Sequence, residues 1–424
     1  MKKWWKIHKI DIKISLKNMR KKIMKNRLIN ILRICFYFFM KPFLWLYIVI
    51  FQHVRFKRNG MKIPKGPVLF LSNHLTNWDG IYLNCMFFTR IIRFIVHDEL
   101  FKNKAVAWFS KNLLGEVCIG KTEESVLDIL EMRKLAKSGA TLGLYPEGDI
   151  DMFGRTLPIE ISIAKFVRLL NVPVVLMKIQ GAYIRAPRWA KKARHSHITY
   201  SITNIISLDE LKKSSLDDLY KRILDGITVE DNKYQSEFRY RQFWSMNRAK
   251  WLELGLFYCP KCKKFETLYS KKDNLICNEC GIIAKYNRYS MLESKCDNFN
   301  ETLLTSWDDE QKRVLYSRLD FCDENTVILF EKELDYYCVK KTEYFKKPIC
   351  RANLVIYKEK IENEFENDKK TIFIKNIDKA KLQYKDVLEI HYNDDCIRFR
   401  NKNKKWSAYL YALTINYLLK INAK

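Results

Sequence analysis

The chain has no long uncharged hydrophobic run. The longest, Pro42–Val54, has thirteen residues, whereas a helix that spans a bilayer needs about 20 apolar residues. Charged residues continue through Arg27, with no compact apolar core and no small-residue cleavage site before it, as a secretory signal would need. These absences predict a chain with neither a transmembrane segment nor a signal peptide.

Acidic residues are almost missing from the first 60 positions, which hold sixteen Lys or Arg and one acid, Asp11. The 424 residues carry a formal net charge of +29 and suggest two or three domains. From Leu28 through Val54 the same basic segment becomes apolar and aromatic. We predict basic amphipathic helices over residues 1–58 that lie in an anionic membrane interface. We do not expect nucleic acid as a partner, because a wide apolar stripe is a poor surface for binding phosphates.

Apolar segments that end in polar turns alternate with segments of helical spacing. Such alternation predicts an α/β fold with a mainly parallel or mixed sheet, whose ligands gather at the strand ends. His74 and Glu147, which follow two of the strands, are expected at one rim of that sheet. The predicted strands are Val68–Leu71, Thr141–Leu144 and Asn171–Met177, and the predicted helices are Glu124–Lys137 and Ile163–Leu170.

The segment Asn73–Asp79 places a histidine and an aspartate five residues apart after the first strand. A histidine can accept a proton near neutral pH, and a carboxylate against its second ring nitrogen fixes the tautomer and stabilises the cation. On one ideal helix the two side chains would point roughly 140° apart. We therefore place His74 in the turn and Asp79 on the first helical turn, with Thr76 or Asn77 as the N-cap.

Four short motifs follow one another between Lys65 and Thr203. They are a His-four-residues-Asp block at His74–Asp79, a Gly-led strand with a basic end at Gly115–Lys121, an aromatic-Pro-Glu-Gly turn at Tyr145–Gly148 and a Val-Pro strand at Val172–Val175. This set resembles the 1-acyl-glycerol-3-phosphate acyltransferases, also called lysophosphatidic acid acyltransferases, a glycerolipid acyltransferase family. The resemblance implies an acyltransferase domain, a mixed sheet flanked by helices, which we place at residues 59–230.

The resemblance also implies a reaction. An acyl group would move from a thioester, acyl-CoA or acyl carrier protein, to the hydroxyl of a lysophospholipid, with 1-acyl-glycerol-3-phosphate as the expected acceptor. His74 would remove the hydroxyl proton while Asp79 holds the imidazole. The enzyme is expected on the cytoplasmic face of the membrane, as a peripheral or monotopic protein. The expected substrate-binding residues are Asn77, Lys121, Glu147, Gly148 and Arg155.

The sequence departs from the family pattern just after Pro-Glu-Gly. The family commonly continues with Thr-Arg-Ser, but Asp149–Asp151 reads Asp-Ile-Asp, so Ile150 replaces an expected phosphate-binding Arg. Lys121 stands where the family usually has Arg, and a lysine binds phosphate only as a point charge. Three arginines could replace the lost charge or simply face solvent: Arg155, Arg185 and Arg188. Two functions stay open, an acyltransferase whose acceptor differs, and a lipid-binding protein on the same fold that has lost catalysis.

Two Cys-x-x-Cys pairs lie beyond this region, with fourteen residues between them. Four thiolates at such spacing can surround Zn²⁺ tetrahedrally and leave no open position, so we predict a structural zinc ribbon at residues 256–290 after a linking helix at 231–255. Disulfides or redox pairs are the weaker alternative because nothing indicates export. The predicted ligands are Cys259, Cys262, Cys277 and Cys280.

Residues 291–424 change pattern again. A helix with Ser306 as its N-cap is expected first, then short alternating strands and a closing amphipathic helix. Strands followed by one helix suggest a small β-rich domain that resembles pleckstrin-homology domains in order and length. The predicted strands are Thr326–Phe330, Ala352–Tyr357, Thr371–Ile374, Val387–Tyr392 and Cys396–Arg400, and the closing helix is Trp406–Ile421.

Overall fold

The structure is a computed structural model, and it describes residues 27–97, 104–119, 126–190, 192–238, 245–295, 301–340, 347–393, 395–401 and 406–422. Lys121 and the helices expected before residue 27 lie outside the described residues.

A seven-stranded sheet forms the centre of the first half. Its strands are β1 (Val54–Lys57), β2 (Leu69–Ser72), β3 (Ile92–His97), β4 (Val117–Ile119), β5 (Thr141–Leu144), β6 (Val174–Gln180) and β7 (Ile198–Ile206). They lie in the order β1-β7-β6-β2-β5-β3-β4, and every neighbouring pair is parallel except β6 and β7. The predicted mixed sheet is confirmed. Because β2 and β5 are parallel neighbours, the residues after both strands share one rim.

Helices cover both faces of this sheet. They are α1 (Arg27–Ile50), α2 (Asp79–Met86), α3 (Lys104–Phe109), α4 (Val126–Lys137), α5 (Ser162–Leu170), α6 (Ala182–Arg185), α7 (Leu208–Lys213), α8 (Leu216–Ile227) and α9 (Asp231–Phe238). Leu69 and Leu71 of β2 share a core with α4, α5 and α8, whereas Phe70 packs into the core on the α2 side. Burial on both faces explains why the central strands read as continuous apolar runs.

α1 is longer than the uncharged run of the sequence indicated. It is a single helix of 24 residues that is long and apolar enough to cross a membrane by length and composition. Arg33 and Lys41 divide the apolar stretch of the sequence into short uncharged runs, and none of these runs is long enough to predict such a helix. Both side chains are buried against the protein. The Arg33 guanidinium donates to the carbonyl oxygens of Lys111 and Asn112 at 3.1 and 3.0 Å.

Lys41 makes the matching contact further along α1. Its ammonium group donates to the carbonyl oxygens of Phe87 and Arg90 at 2.5 and 2.6 Å. Tyr37 and Ile48 are buried on α1 as well. The opposite side of α1 presents exposed apolar side chains to solvent: Leu28, Ile31, Leu32, Ile34, Phe38, Phe39, Met40, Phe43, Leu46, Tyr47 and Ile50.

The segment before the ribbon also differs from its prediction. Within the described residues, α9 ends at Phe238, and only a single 3₁₀ turn, Leu252–Leu254, follows before residue 255. Trp251 has a φ of +76°, which an α-helix cannot accommodate. The ribbon that follows is an antiparallel sheet in the order β11-β10-β9-β8. Its strands are β8 (Leu268–Lys271), β9 (Asn274–Cys277), β10 (Gly281–Tyr286) and β11 (Leu292–Ser294).

The C-terminal part is a seven-stranded antiparallel sheet, with one helix before it and one helix after it in the sequence. Its elements are α10 (Leu304–Asp320), β12 (Leu329–Lys340), β13 (Cys350–Ile356), β14 (Lys360–Glu364), β15 (Lys369–Phe373), β16 (Ile377–Gln383), β17 (Val387–Tyr392), β18 (Asp395–Arg400) and α11 (Ala408–Asn422). The strand order is β15-β14-β13-β12-β18-β17-β16. α10 begins at Leu304, so Ser306 is not its N-cap. The sequence prediction missed β14, in which Glu362 and Asn363 are buried, and β16, whose register shifts after Ile377.

Candidate active site

His74 and Asp79 meet at the carboxyl end of β2. His74 Nδ1 lies 3.0 Å from Asp79 Oδ2, and the Asp79 side chain is fully buried while His74 is 22% exposed. Since an ionised carboxylate can only accept a hydrogen bond, this contact assigns the proton to Nδ1 and leaves the lone pair on Nε2. The histidine is therefore arranged to act as a base through Nε2.

Asp79 is held by donors from its own turn and from β7. Its Oδ2 accepts the backbone N–H groups of Leu75 and Thr76, both at 2.8 Å, and its Oδ1 accepts the Thr76 hydroxyl at 2.7 Å and the Tyr200 hydroxyl at 3.3 Å. α2 begins at Asp79 with Trp78 as its N-cap, so neither residue proposed for that position caps the helix. Asp79 itself binds the preceding turn.

Glu147 connects the histidine turn to another loop. Its Oε1 accepts the His74 backbone N–H and its Oε2 accepts the Leu157 backbone N–H, both at 2.6 Å. Burial raises the pKa of Glu147 to about 8, although these two N–H groups lower it. The sequence placed Glu147 at the acceptor site, but in the structure both of its carboxylate oxygens bind backbone N–H groups. The next residue, Gly148, has a φ of +70° with open space around it, so its conformation rather than crowding favours glycine.

Aromatic rings cover one side of the His74 imidazole. The Tyr145 ring stacks on it with centroids 4.4 Å apart, and the Phe94 ring stacks on Tyr145 at 5.2 Å. A Cβ at Gly143 would lie 2.6 Å from Phe94, so glycine leaves the room that this stack occupies. The sequence identified Tyr145 through its motif, but nothing in the pattern indicated Phe94.

Asn73 fixes the exit of β2 and was not singled out as a site residue. Its side-chain oxygen accepts the Ile179 N–H at 2.7 Å, and its amide donates to the Ile179 carbonyl at 2.9 Å. The side chain thereby replaces a strand residue in pairing with β6, directly before His74. A polar residue at the end of a fully buried strand was the available signal.

The part of the chain that contains this site matches a known protein family. A family model described as acyltransferase matches residues 53–180, which contain the His-Asp pair, the Pro-Glu-Gly turn and the Val-Pro strand. Residues 53–180 are therefore an acyltransferase domain. This confirms the family and the enzyme class that the four motifs predicted.

Three solved structures resemble parts of this acyltransferase. The 1-acyl-sn-glycerophosphate acyltransferase PlsC from Thermotoga maritima is 21% identical with a TM-score of 0.36, covering 45% of this chain and 73% of its own. Inner membrane complex sub-compartment protein 3 from Toxoplasma gondii is 13% identical with a TM-score of 0.19, covering 26% and 86%. The N-terminal PH domain of human ARAP2 is 14% identical with a TM-score of 0.18, covering 22% and 82%. No protein with a curated description matches the acyltransferase.

Arg155, one of the expected substrate-binding residues, pairs with two carboxylates in this acyltransferase. Its guanidinium lies 2.5 Å from Asp308 Oδ2 and 2.6 Å from Asp309 Oδ1, both on α10. These carboxylates occupy the guanidinium, and the substrate-binding role expected of Arg155 stays a prediction.

The other two arginines near the motif are also committed to protein atoms. Arg188 donates to the carbonyl oxygens of Ile150 and of Tyr384, the latter at 2.8 Å. Arg185 is buried and donates to the Gln52 carbonyl at 2.7 Å. These arginines therefore hold backbone around the site. Asn77 is exposed beside the histidine turn, and its substrate-binding role stays a prediction.

The four ribbon cysteines come together as the spacing predicted. Their sulfur atoms all lie within 4.8 Å of one another, and Cys262 Sγ is 3.7 Å from Cys277 Sγ. Tetrahedral Zn²⁺ with bonds of about 2.3 Å would place sulfur atoms about 3.8 Å apart. Although burial acts to raise the pKa of the Cys277 thiol, hydrogen bonds from the Thr267 hydroxyl and from nearby N–H groups lower this pKa to about 7. The donor set therefore fits a zinc ion.

A second group of possible ligands lies on β17 and β18. His391 Nε2 is 2.6 Å from Glu389 Oε1 and 3.9 Å from Cys396 Sγ, and Arg398 donates to the other Glu389 oxygen. Burial would raise the pKa of Glu389, but His391 and Arg398 lower it to about 2. We interpret this group as a buried ion-pair network because Arg398 already balances the carboxylate.

Proposed function

We propose that the protein transfers a fatty acyl group from a thioester to the hydroxyl of a lysophospholipid. The observation that carries this proposal is the 3.0 Å contact between His74 Nδ1 and Asp79. Among the described residues, no hydrogen-bond partner is found for His74 Nε2, and the side chain is partly exposed at the rim of the sheet. A base with a free lone pair at that rim suits the activation of a hydroxyl group.

The reaction follows from this arrangement. His74 Nε2 takes the proton of the acceptor hydroxyl as its oxygen attacks the thioester carbonyl carbon. Asp79 stabilises the imidazolium that forms and keeps its ring in place. When the tetrahedral intermediate collapses, the carbon–sulfur bond breaks and the leaving thiolate takes the proton from His74. A positioned base of this kind contributes about 10²- to 10⁴-fold in rate.

α1 supports attachment to a membrane surface. Arg33, Tyr37, Lys41 and Ile48 place one side of α1 against the protein over sixteen residues, or about 24 Å. A helix held along the domain over this length is poorly placed to cross a bilayer, and its other side is apolar. We infer a peripheral or monotopic protein on the cytoplasmic face, with anionic lipid attracting the basic N-terminal segment.

The motifs indicate the chemical class of the acyl donor and of the acceptor. Acyl-CoA and acyl carrier protein are both suitable thioester donors. We take 1-acyl-glycerol-3-phosphate as the first acceptor to test, although Ile150 stands where the family has an arginine and the nearby arginines bind protein atoms. Lys121 is then the motif residue left to meet a phosphate.

We also propose that Cys259, Cys262, Cys277 and Cys280 bind one structural zinc ion. The convergence of the four sulfur atoms supports this role. Four thiolates fill the coordination sphere, so the ion would stabilise the ribbon and would not contact the reacting groups of acyl transfer.

Thiol release tests the proposal directly. Purified protein on vesicles is given acyl-CoA or acyl carrier donors with lysophospholipids of different headgroups. We expect acceptor-dependent release that His74→Ala abolishes, and that Asp79→Asn reduces about 100-fold or more because the imidazole loses its orienting carboxylate. His195→Ala, which changes an exposed histidine, is the matched control. No release with any pair from folded native protein would overturn the proposal and favour lipid binding without catalysis.

A further inference from the structure

The loop of residues 149–157 follows the Pro-Glu-Gly turn and is packed inside the molecule. Phe153 is fully buried and Asp151 nearly so. Asp151 Oδ1 accepts the N–H groups of Phe153 and Arg155 at 2.8 and 3.2 Å, and Leu157 N–H donates to Glu147. The shape of this loop therefore bears directly on the position of Glu147.

The C-terminal part of the chain holds one end of this loop. Arg155 binds Asp308 and Asp309 at 2.5 and 2.6 Å. Asp308 is fully buried and also accepts the Lys312 ammonium at 2.5 Å and the Tyr409 hydroxyl at 3.1 Å. Arg155 therefore connects the loop to α10 directly and to α11 through Asp308.

The other end of loop 149–157 is held in the same way. Arg188 donates to the Ile150 carbonyl oxygen in the loop. The same guanidinium donates to the carbonyl oxygens of Leu382 and Tyr384, at the end of β16. The loop is thus attached to the C-terminal sheet at its start and to the C-terminal helices at Arg155.

Direct contacts continue from this interface to the candidate base. Arg155 is two residues from Leu157, whose N–H binds Glu147, and Glu147 binds the His74 N–H. We propose that Arg155 is a positioning residue, which uses Asp308 and Asp309 to hold loop 149–157 so that Glu147 fixes the His74 turn. This proposal rests on the proposed function only for its activity readout.

Three roles for Arg155 predict different kinetics. A residue that binds the acceptor phosphate would raise KM for phosphate-bearing acceptors when replaced. An ion pair that only stabilises the fold would leave kcat per folded molecule unchanged. A positioning residue lowers kcat for every acceptor with little change in KM, because a displacement of about 1 Å at a base costs up to about 100-fold in rate.

The test compares four variants by steady-state kinetics on the same vesicles. We expect Arg155→Ala to lower kcat about 10- to 100-fold for all acceptors, Arg155→Lys to recover part of this loss through its remaining charge, and Asp309→Ala to cause a smaller loss. Arg313→Ala is the matched control, because Arg313 is an exposed α10 arginine that pairs with Glu310 instead. A change confined to KM, or a kcat equal to that of the control, would overturn the proposal.

Amide hydrogen exchange gives a readout that needs no turnover. In Arg155→Ala the His74 and Leu157 amides should exchange about ten times faster or more, because Glu147 holds them less firmly, while amides in β2 and β6 keep their protection. Native protein that shows no acyl transfer would refute the proposed function and leave this measurement decisive. Unchanged exchange at both amides would refute the positioning role by itself.

Discussion

The buried carboxyl group of Glu147 links the stability of the active-site turn to pH. Burial raises its pKa from 4.5 to about 8, against the effect of the two N–H groups it binds. Between these values the folded protein keeps a proton that the unfolded chain has lost. Its contribution to stability is therefore complete below about pH 4.5 and is lost as the pH rises towards 8.

We expect Glu147→Gln to remove this pH dependence. Relative to the variant, the free energy of unfolding of the native protein should fall by up to about 1.4 kcal/mol per pH unit between about pH 5.5 and 7.5. Urea unfolding at several pH values in this window measures the difference, and Glu160→Gln, which changes an exposed carboxyl group, serves as control. Parallel stability curves for native and Glu147→Gln protein would contradict the assignment.

At the residue scale, local chemistry was readable from the sequence and distant partners were not. The His74 and Asp79 contact could be predicted because both residues lie on one short turn. The ion pairs of Arg155 could not be predicted because its carboxylate partners are more than 150 residues away in the chain. Glu147 was placed at the correct rim, but its bonds to the His74 and Leu157 backbone depend on how two loops meet.

At the scale of elements, α1 shows how burial alters the meaning of a charge. Arg33 and Lys41 reduce its apolar run in the sequence, yet both bind backbone carbonyls of the acyltransferase domain. The outward side is left almost wholly apolar. Exposed patches of this kind on a soluble surface are unusual and mark contact with a membrane or a partner.

We expect the exposed side of α1 to carry much of the membrane affinity. Phe39 and Phe43 are 63% and 71% exposed, and replacing both by serine should weaken binding to vesicles with anionic phospholipid at least about 100-fold, given about 1.5–3 kcal/mol per fully buried phenyl group. Co-sedimentation measures the affinity. Phe321→Ser, at an 87% exposed position outside α1, is the matched control.

An interfacial α1 and a spanning α1 differ in extraction. The former should be released from membranes by an alkaline wash, and the latter should stay with the lipid. Retention of the native protein after such a wash, or unchanged vesicle binding by the double serine variant, would contradict the interfacial arrangement.

On the scale of the whole molecule, the ribbon contacts both the acyltransferase domain and the C-terminal helix α10. Trp189 and Tyr286 pack edge to face at 5.7 Å, and the Arg194 guanidinium lies over both rings. Gln311 of α10 accepts the backbone N–H of Phe257, at the start of the ribbon, at 3.0 Å. The sequence predicted the ribbon from cysteine spacing, but these contacts join distant segments and no local pattern indicates them.

Loss of the ribbon metal should therefore affect more than the ribbon. We expect native protein to bind about one zinc per chain, and Cys280→Ser to lose most of it and to melt at least about 5 °C lower, since zinc binding contributes several kcal/mol to folding. Acyl transfer should fall with the metal, because α10 carries Asp308 and Asp309, which hold Arg155. Metal analysis, thermal unfolding and thiol release on the same samples test this coupling.

Cys350→Ser, at an exposed cysteine outside the ribbon, is the control and should keep the zinc and the activity. A Cys280→Ser protein with native zinc content would contradict the four-cysteine site.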